Sequence, residues 1–576
     1  MKRTMIAACL IAGIGAAGWI GSVVMDNKRT TSEQRFDYRG HGGTFKNTLS
    51  EMETPDPSVV YQDGYYYMTF THNGTDVMVL KSRTIDFRNA ERRTVWYPPA
   101  GEAYSSNLWA PEIQYIQGKW YIYFAADDGL NENHRMYALQ ADSNDPMGDY
   151  TFKGQITDST NKWAIDGLAM EHEGKLYFIW SGWEGDANVQ QNTYIAPMSD
   201  PLAISGPRVL LNEPTEEWER AGGPPYINEG QSILKKDGRV HLVYSGAGSW
   251  TPYYSLGLLS LAQDADPLDA AAWRKAGQPL MQMDDSAGVY GPGHNSFVRS
   301  PDGTEDWIVY HGTSGMNDGW ANRKARAQLV TWQEDGTPAF GKPLSLDTAI
   351  EAPAGTGVMK ADSAVLAEGK LTFGAIPSSQ DAEAPLLIHY RNDSGEERMI
   401  GLSANGGQER AISLPATKPD ATGYAYATVA LKQGMNEIAL AAGGSGVRIE
   451  AIEIPRYEAE NAQAEGTAEA EDNPFASGWG IASLADGESA VRFPNVVVPL
   501  AGTYVVRVAL SNPSEQAGEL LLSVDGGKPK RVEAPKSARN EFVPLELEVE
   551  LGAGKHEFKL TTVKGKLNVD YMDIRG

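Results

Sequence analysis

The sequence predicts an all-β protein, a five-bladed β-propeller followed by two β-sandwich modules of jelly-roll type. Three observations predict it. A hairpin signal recurs five times in the first 340 residues, and the second half aligns with itself at an offset of 120. The composition, with 61 Gly, 32 Pro, 14 Trp and 26 Tyr, suits a turn-rich β architecture. At 576 residues the chain is too long for one core, so several domains are expected.

The recurring signal is a turn followed by alternating aromatic and aliphatic residues. It occurs as DGYYYMTF (63–70), QGKWYIYF (117–124), EGKLYFIW (173–180), DGRVHLVY (237–244) and DGTEDWIVY (302–310). The turn glycines, Gly64, Gly118, Gly174, Gly238 and Gly303, are spaced 54, 56, 64 and 65 residues apart. Two-residue turns of this kind join antiparallel strands, and regular spacing at blade length favours a propeller over one large sandwich with five hairpins. A polar group precedes each turn: Asp56 by eight residues, Glu112 by six, Asp166 by eight, Glu229 and His294 by nine each. Innermost propeller strands line the central channel, so these groups are expected round one axis, with Glu112 in a structural role at the blade turn.

Ahead of the repeat, Lys2 and Arg3 precede the apolar stretch Met5–Met25, with Asp26, Asn27 and Lys28 after it. Residues 1–35 read as an export signal or membrane anchor with a linker. The run is long for a signal and long enough to span a bilayer, so both forms stay open, and either places the protein outside the cell or on the outer face of its membrane. The only cysteine, Cys9, lies in this segment, which leaves no disulfide, thiol nucleophile or Cys-ligated metal in a mature chain. A net charge of −25 without a basic run excludes nucleic acid and anionic membranes as partners and favours a neutral substrate; no protein partner is implied.

A neutral substrate, export and several carboxylates round one pocket point to glycoside hydrolysis. One carboxylic acid protonates the leaving oxygen, and a second carboxylate serves as base for water or as nucleophile. Neighbouring like charges raise the pKa of the acid and keep it protonated near neutral pH.

The stretches TPDPSVVYQDGYYYMTF, NLWAPEIQYIQGKWYIYFAADD, WAIDGLAMEHEGKLYFIWSG, YINEGQSILKKDGRVHLVYSG and YGPGHNSFVRSPDG together resemble glycoside hydrolase family 43. The resemblance covers about residues 50–345, within a catalytic domain expected over 36–345. It implies an inverting mechanism with Asp56 as general base, Asp166 as modulator of the acid's pKa and Glu229 as general acid. The family's proline after NEG is Gln231 here. His294 resembles the family histidine near the channel axis, which holds a metal or its water shell; the other reading is a hydrogen-bonded core imidazole. Trp109 is either a sugar platform or blade packing. Trp183 is expected at the pocket mouth. Arg326 resembles an arginine of the last blade that reaches the pocket, with a surface salt bridge as the other reading.

In the second half, Asn392 matches Asn512, Pro415 matches Pro535, Leu431 matches Leu551, and IEAIEI (449–454) matches VDYMDI (569–574). A degenerate module over 350–455 and a carbohydrate-binding module over 456–576 are expected. The pattern YEAENAQAEG…GTYVVRVALSN…LLLSVDGG…LNVDYMDI resembles carbohydrate-binding modules of families 6 and 35. That resemblance implies a structural calcium site at Glu458 and Glu460 with Asp570 or Asp573, the other reading being a solvated strand edge. It also makes Trp479 and Asn568 candidate sugar contacts. At the register of YEAEN the middle copy has TPAFG (337–341), so no calcium site is expected there. Calcium, in this module and, on the metal reading of His294, in the propeller channel, is the only cofactor implied.

The resemblance is nearest to extracellular α-L-arabinofuranosidases, with plant cell-wall arabinan or arabinoxylan as substrate. β-Xylosidase or endo-arabinanase activity within the family, and a non-catalytic glycan-binding surface protein, are the alternatives. Retention of Asp56, Asp166 and Glu229 together favours an enzyme.

Overall fold

The computed structural model describes residues 44–576 except 89, 302, 355, 379, 442–445, 474, 478, 479, 486 and 488. The N-terminal segment 1–35 and Trp479 therefore lie outside the described residues. The fold is all-β, and its only described helices are single 3-10 turns such as Asn131–Asn133. Among the described residues no helix is long and apolar enough to cross a membrane.

Each expected hairpin is present. Ser58–Gln62 pairs antiparallel with Tyr65–Thr69, Ser106–Ile116 with Lys119–Asp127, Ala164–His172 with Lys175–Gly182, Tyr226–Lys236 with Arg239–Gly246, and Tyr290–Arg299 with Asp306–Thr313. In the first four turns both residues have positive φ, as in Asp63 (51°) and Gly64 (83°), the type I′ geometry that matches strand twist. Further strands widen each hairpin into a unit. Two of the units are joined by a short parallel pairing of Gln190 with Tyr226 and Gln191 with Ile227.

The inner strands of the five units contact one another in chain order, and the fifth contacts the first. Packing closes this ring, not a continuous sheet. A hydrogen bond crosses every junction. Ser58 Oγ accepts from Ile113 N (3.2 Å), Gln114 Oε1 from Ala169 N (2.8 Å) and Asn228 O from Ser181 Oγ (2.8 Å). Ser245 Oγ accepts from His294 N (2.8 Å) and Ser296 Oγ from Val59 N (3.0 Å). Between hairpins lie five apolar clusters. Trp120, Ile122 and Phe124 face the cluster shared with Tyr65 and Val77, while Tyr121, Tyr123 and Ala125 of the same strand face Phe178 and Trp180. The alternating run QGKWYIYF is thus buried on both faces, and for that reason it carries so few charges.

Residues beyond the ring form two pairs of packed sheets. The offset of 120 carries over strand by strand: Lys370–Ser378 onto Ala490–Val498, Arg398–Ala404 onto Gly518–Val524, Gly423–Leu431 onto Val543–Leu551. Asn392 Nδ2 donates to Leu414 O (2.8 Å), and Asn512 Nδ2 donates to Ala534 O (3.0 Å). At the N-terminal edge the offset changes, which corrects the match of YEAEN to 337–341. Tyr457 pairs with Met572, and its counterpart Met359 pairs with Ile452, an offset of 98. The last module has an extra hairpin, Glu469–Asp472 with Gly480–Leu484, where the middle copy has none among the described residues. Lys360 and Asp362 therefore stand where Glu458 and Glu460 do. The middle copy replaces one acid of the candidate metal site with a cation.

Candidate active site

All five inner strands share a backbone device that the side-chain offsets only hinted at. Asp56 (φ 57°), Ala110 (44°), Asp166 (55°), Gly230 (62°) and His294 (42°) each take the left-handed conformation eight or nine residues before their turn glycine. The last four sit in or beside β-bulges, and Asp56 immediately precedes its strand. A bulge re-aims a side chain that a regular strand would point into the sheet. Glu229 lies one position before this shared locus and Glu112 two after it, which explains their odd offsets. Left-handed non-glycine residues cost roughly 1–3 kcal/mol each and persist where the surroundings over-determine them.

These bulges bring Asp56, Glu112, Asp166, Glu229 and His294 together. His294 is the hub: Nδ1 lies 3.5 Å from Asp56 Oδ1 and 3.8 Å from Asp166 Oδ2, and Nε2 lies 3.2 Å from Glu112 Oε1. Gly230 N donates to Asp166 Oδ2 (2.8 Å), tying the modulator candidate to the backbone beside Glu229. A Cβ at Gly230 would sit 3.0 Å from His294 Cα, so this crossing also needs the missing side chain. Glu112 meets the imidazole and not a turn backbone, which corrects its expected role.

The electrostatics separate the acids. Burial alone would raise the Asp56 carboxyl, but Arg323 (Nη1 to Oδ1, 3.2 Å) and His294 outweigh it and hold it well below the usual carboxylate range. Thr71 Oγ1 adds a hydrogen bond to Asp56 Oδ2 (2.6 Å). Burial, followed by the charge of Asp166, pushes Glu229 up to about 8. Burial raises Asp166 to about 6 against the opposing pull of His294. For His294 burial works downward, yet Asp166, Asp56 and Glu112 carry it up to about 10, so it is an imidazolium at neutral pH. Burial lowers His311 to about 4, and its Nδ1 accepts from Asp56 N (3.1 Å). The site thus holds a firmly ionised carboxylate and, at neutral pH, a carboxylic acid that still carries its proton.

Other candidate residues fall differently. Trp109 is half-buried, with one face stacked on His134 (4.0 Å, 26°). Trp183 does not stand open at the mouth; it is 3% exposed and stacked on Trp163 (4.6 Å, 6°), because the aromatic layer between the second and third units claims its face. Arg326 is fully buried, which removes the surface salt bridge. Its Nη2 donates to Ser314 Oγ (3.0 Å), and Nε and Nη1 have no partner. The arginine that meets an acid is Arg323, three residues earlier. Asn568 is a buried structural amide, 2% exposed and donating to Ser511 Oγ (3.2 Å) from between two neighbouring strands, so it is not offered to a sugar.

Sequence spacing missed Arg323, His311, Thr71, Ser245 and Tyr254. They reach the site from loops and from second strands, on the far side of the turn glycines from the recurring acids; Thr71 and Ser245 each follow their turn glycine by seven residues. The HG and YSG stretches ending two second strands were the available signal.

In the last module, Ser477 N donates to Asp570 Oδ1 (2.7 Å) and Ser477 Oγ donates to Glu458 Oε1 (2.8 Å). Burial and the charge of Glu458 push Asp570 up to about 9 and Glu460 well above its usual range. Asp570 Oδ2 and Glu460 Oε2 are buried without partners. Clustered, underpaired carboxylate oxygens fit a hard cation such as calcium, although among the described residues no ready-made set of three or more ligands is assembled. Asp573 stands apart, raised to about 6 by burial and facing Arg507 and Arg456 instead. At the channel axis both nitrogens of His294 face carboxylates, so a cation there would be met through its water shell, without an imidazole lone pair.

Comparison with known proteins agrees with this geometry. Residues 45–338 match the family model for glycosyl hydrolases family 43, and residues 455–576 match that for carbohydrate binding module family 35. The chain is 37% identical over 313 residues to an extracellular exo-α-(1→5)-L-arabinofuranosidase of Streptomyces avermitilis, covering 52% of this chain and 64% of that one. It is 30% identical over 428 residues to α-L-arabinofuranosidase 43 of Humicola insolens, covering 70% of this chain and 87% of that one. The crystal structure of an α-L-arabinofuranosidase from Lactobacillus brevis aligns at a TM-score of 0.50 and 35% identity, over 52% of this chain and 98% of the other. The first family match begins before the first hairpin, ends beyond the fifth and takes in every acid gathered at the bulges, so the chain belongs to glycosyl hydrolases family 43.

Proposed function

We propose that the protein is an extracellular, exo-acting, inverting α-L-arabinofuranosidase that releases L-arabinofuranose from arabinan or arabinoxylan. The ring of five units is its five-bladed propeller catalytic domain (36–345), followed by jelly-roll modules at 350–455 and 456–576. The observation that carries the reading is the opposite electrostatic treatment of Asp56 and Glu229 within one buried cluster. Names of the relatives support the sugar and the extracellular setting, and the basic-then-apolar start of the chain supports export, as a cleaved signal or an anchor.

In this mechanism Glu229 donates its proton to the glycosidic oxygen as the bond to the anomeric carbon breaks. Asp56 accepts a proton from a water whose oxygen attacks that carbon from the opposite face. The product is the inverted anomer, and Glu229 regains a proton from solvent. Asp166 keeps Glu229 protonated and, through Gly230, positions it. His294 balances the charge of Asp56, Asp166 and Glu112. Trp109 holds the sugar with the face that His134 leaves free. Glu458, Glu460 and Asp570 would hold calcium in the last module, which supplies charge neutralisation there.

The test is a panel of aryl arabinofuranoside, aryl xyloside and debranched arabinan, with the first-formed product anomer followed by NMR. Release of the inverted arabinose from the first and third, and loss of at least about 10²-fold in rate on debranched arabinan in Glu229→Gln with the fold intact, are expected. Retention of configuration, preference for the xyloside, or a fully active Glu229→Gln each refutes it.

A further inference from the structure

Two tryptophans stand out among the described residues by their exposure. Trp320 is 61% exposed and Trp250 37%, and among the described residues no other tryptophan is so open. They meet edge to face, with ring centroids 5.7 Å apart at 77°. Exposed indoles forfeit burial, yet this pair is held in place. Trp320 Nε1 donates to Ser249 Oγ (3.1 Å), and the ring of Trp250 lies so close over Gly248 that a Cβ there would approach it to 2.6 Å.

Their position is set by the strands that build the catalytic cluster. Trp250 is on the loop leaving Arg239–Gly246, whose Ser245 is the cross-strand partner of Glu229. That loop returns through Tyr254, whose ring stacks on His311 (5.6 Å, 9°). Trp320 is on the loop leaving Asp306–Thr313, and its carbonyl accepts from Arg323 Nε (3.2 Å), the same arginine whose Nη1 lies 3.2 Å from Asp56 Oδ1. Both loops leave the ends of their strands at which the acids lie. The proton donor sits on the leaving-group side of the scissile bond, and the loop with Trp250 begins next to its strand partner Ser245.

We propose that Trp250 and Trp320 form the leaving-group subsite, an aromatic corner on which the next sugar of an α-linked arabino-oligosaccharide lies through its C–H face. Aromatic faces carry negative potential and receive such apolar sugar faces, and the edge-to-face pair presents two planes at nearly a right angle, a corner for a bent furanoside chain. The inference rests on the arabinofuranosidase reading above.

The experiment compares Trp250→Ala, Trp320→Ala and Trp320→Phe with the unaltered protein on α-1,5-arabinotriose and on an aryl arabinofuranoside. The expected result is a loss of about tenfold in kcat/KM on the trisaccharide in each alanine variant, carried by KM. The loss on the aryl substrate should be several times smaller, and Trp320→Phe should recover most of the trisaccharide binding. Equal losses on both substrates, an unchanged KM for the trisaccharide, or a phenylalanine variant as poor as the alanine one overturns the subsite. An unaltered protein inactive on both substrates overturns the parent reading instead, so the two failures are told apart.

Discussion

Glu229 and Asp56 are both buried carboxyl groups, and burial by itself drives both upward. They part because Arg323 joins the imidazolium of His294 in acting on Asp56 and together they outweigh burial, whereas on Glu229 burial and the charge of Asp166 outweigh the pull of His294. That difference has a pH signature. Glu229 must be protonated to donate, so turnover of a substrate with a poor leaving group should fall above about pH 8, as the acid is lost. Replacing Asp166 with Asn removes a negative charge that favours the protonated form. Burial remains, so the descending limb should move to lower pH by on the order of one unit. The measurement is kcat/KM against pH on arabinotriose, since an aryl leaving group needs little protonation. A limb that stays in place would remove Asp166 from the role of modulator. The acids themselves were legible in sequence because each recurs at nearly the same distance from a turn glycine. Arg323 was not, because its contact with Asp56 is made by a loop whose length belongs to one unit alone. Trp183 was misread for a related reason: SGW places an indole at a strand end, but only packing decides whether its face is spent on Trp163.

At the scale of the element, a strand–turn–strand unit with a left-handed residue near its start is used five times, and function differs only in which side chain the bulge aims. The turn glycines and the aromatic alternation made the hairpins readable. The bulges were invisible: Asp, Gly and His tolerate the left-handed conformation, but Ala does not, and all four are too common elsewhere to mark the position. Likewise the second repeat was legible over its conserved spacing and failed where the last module has an inserted hairpin. That hairpin carries the chain past Ser477, which bonds both Asp570 and Glu458. Cation binding is therefore expected only in the last module, where Glu458, Glu460 and Asp570 outnumber the neighbouring Arg456, and not in the middle copy, where Lys360 replaces Glu458. Calcium should raise the melting temperature of the intact protein's module transition, as any ligand selective for the folded state does, and a chelator should lower it. Glu458→Gln should abolish the response. A transition indifferent to calcium and chelator would leave Glu460 and Asp570 as protonated, hydrogen-bonding acids.

Across the whole molecule, ring closure and module docking decide what can be removed. Before the first unit, residues 47–54 run alongside the third strand of the last unit. Leu49 N donates to Ala325 O (2.8 Å), Thr54 N to Arg323 O (2.9 Å), and Ala327 N to Asn47 Oδ1 (2.8 Å). The start of the ring is thus fastened to its end, a few residues from both Asp56 and Arg323. The last module is docked on two sides. Asn461 accepts from Arg88 Nη2 at its side chain (3.3 Å), and Lys555 pairs with Glu351 (3.1 Å). Arg507 donates to Glu383 O, and Tyr504 packs edge-on against Tyr426 (5.9 Å). Leu387, Tyr424 and Leu500 form an apolar cluster between the two modules. Deleting 456–576 would expose Leu387, Tyr424 and Tyr426 on the middle module, so the truncated protein should melt several degrees lower and aggregate more readily. None of the removed contacts touches the acid cluster. Hydrolysis of an aryl arabinofuranoside should therefore stay within about threefold of the full chain, while retention on insoluble arabinan or arabinoxylan drops. Depletion assays with the insoluble polymer, run beside aryl-glycoside kinetics on the same preparation, separate the two effects. If aryl-glycoside turnover collapses in protein that is still folded, the module is a structural buttress of the catalytic ring; if only polymer retention is lost, its role is to hold substrate near the pocket.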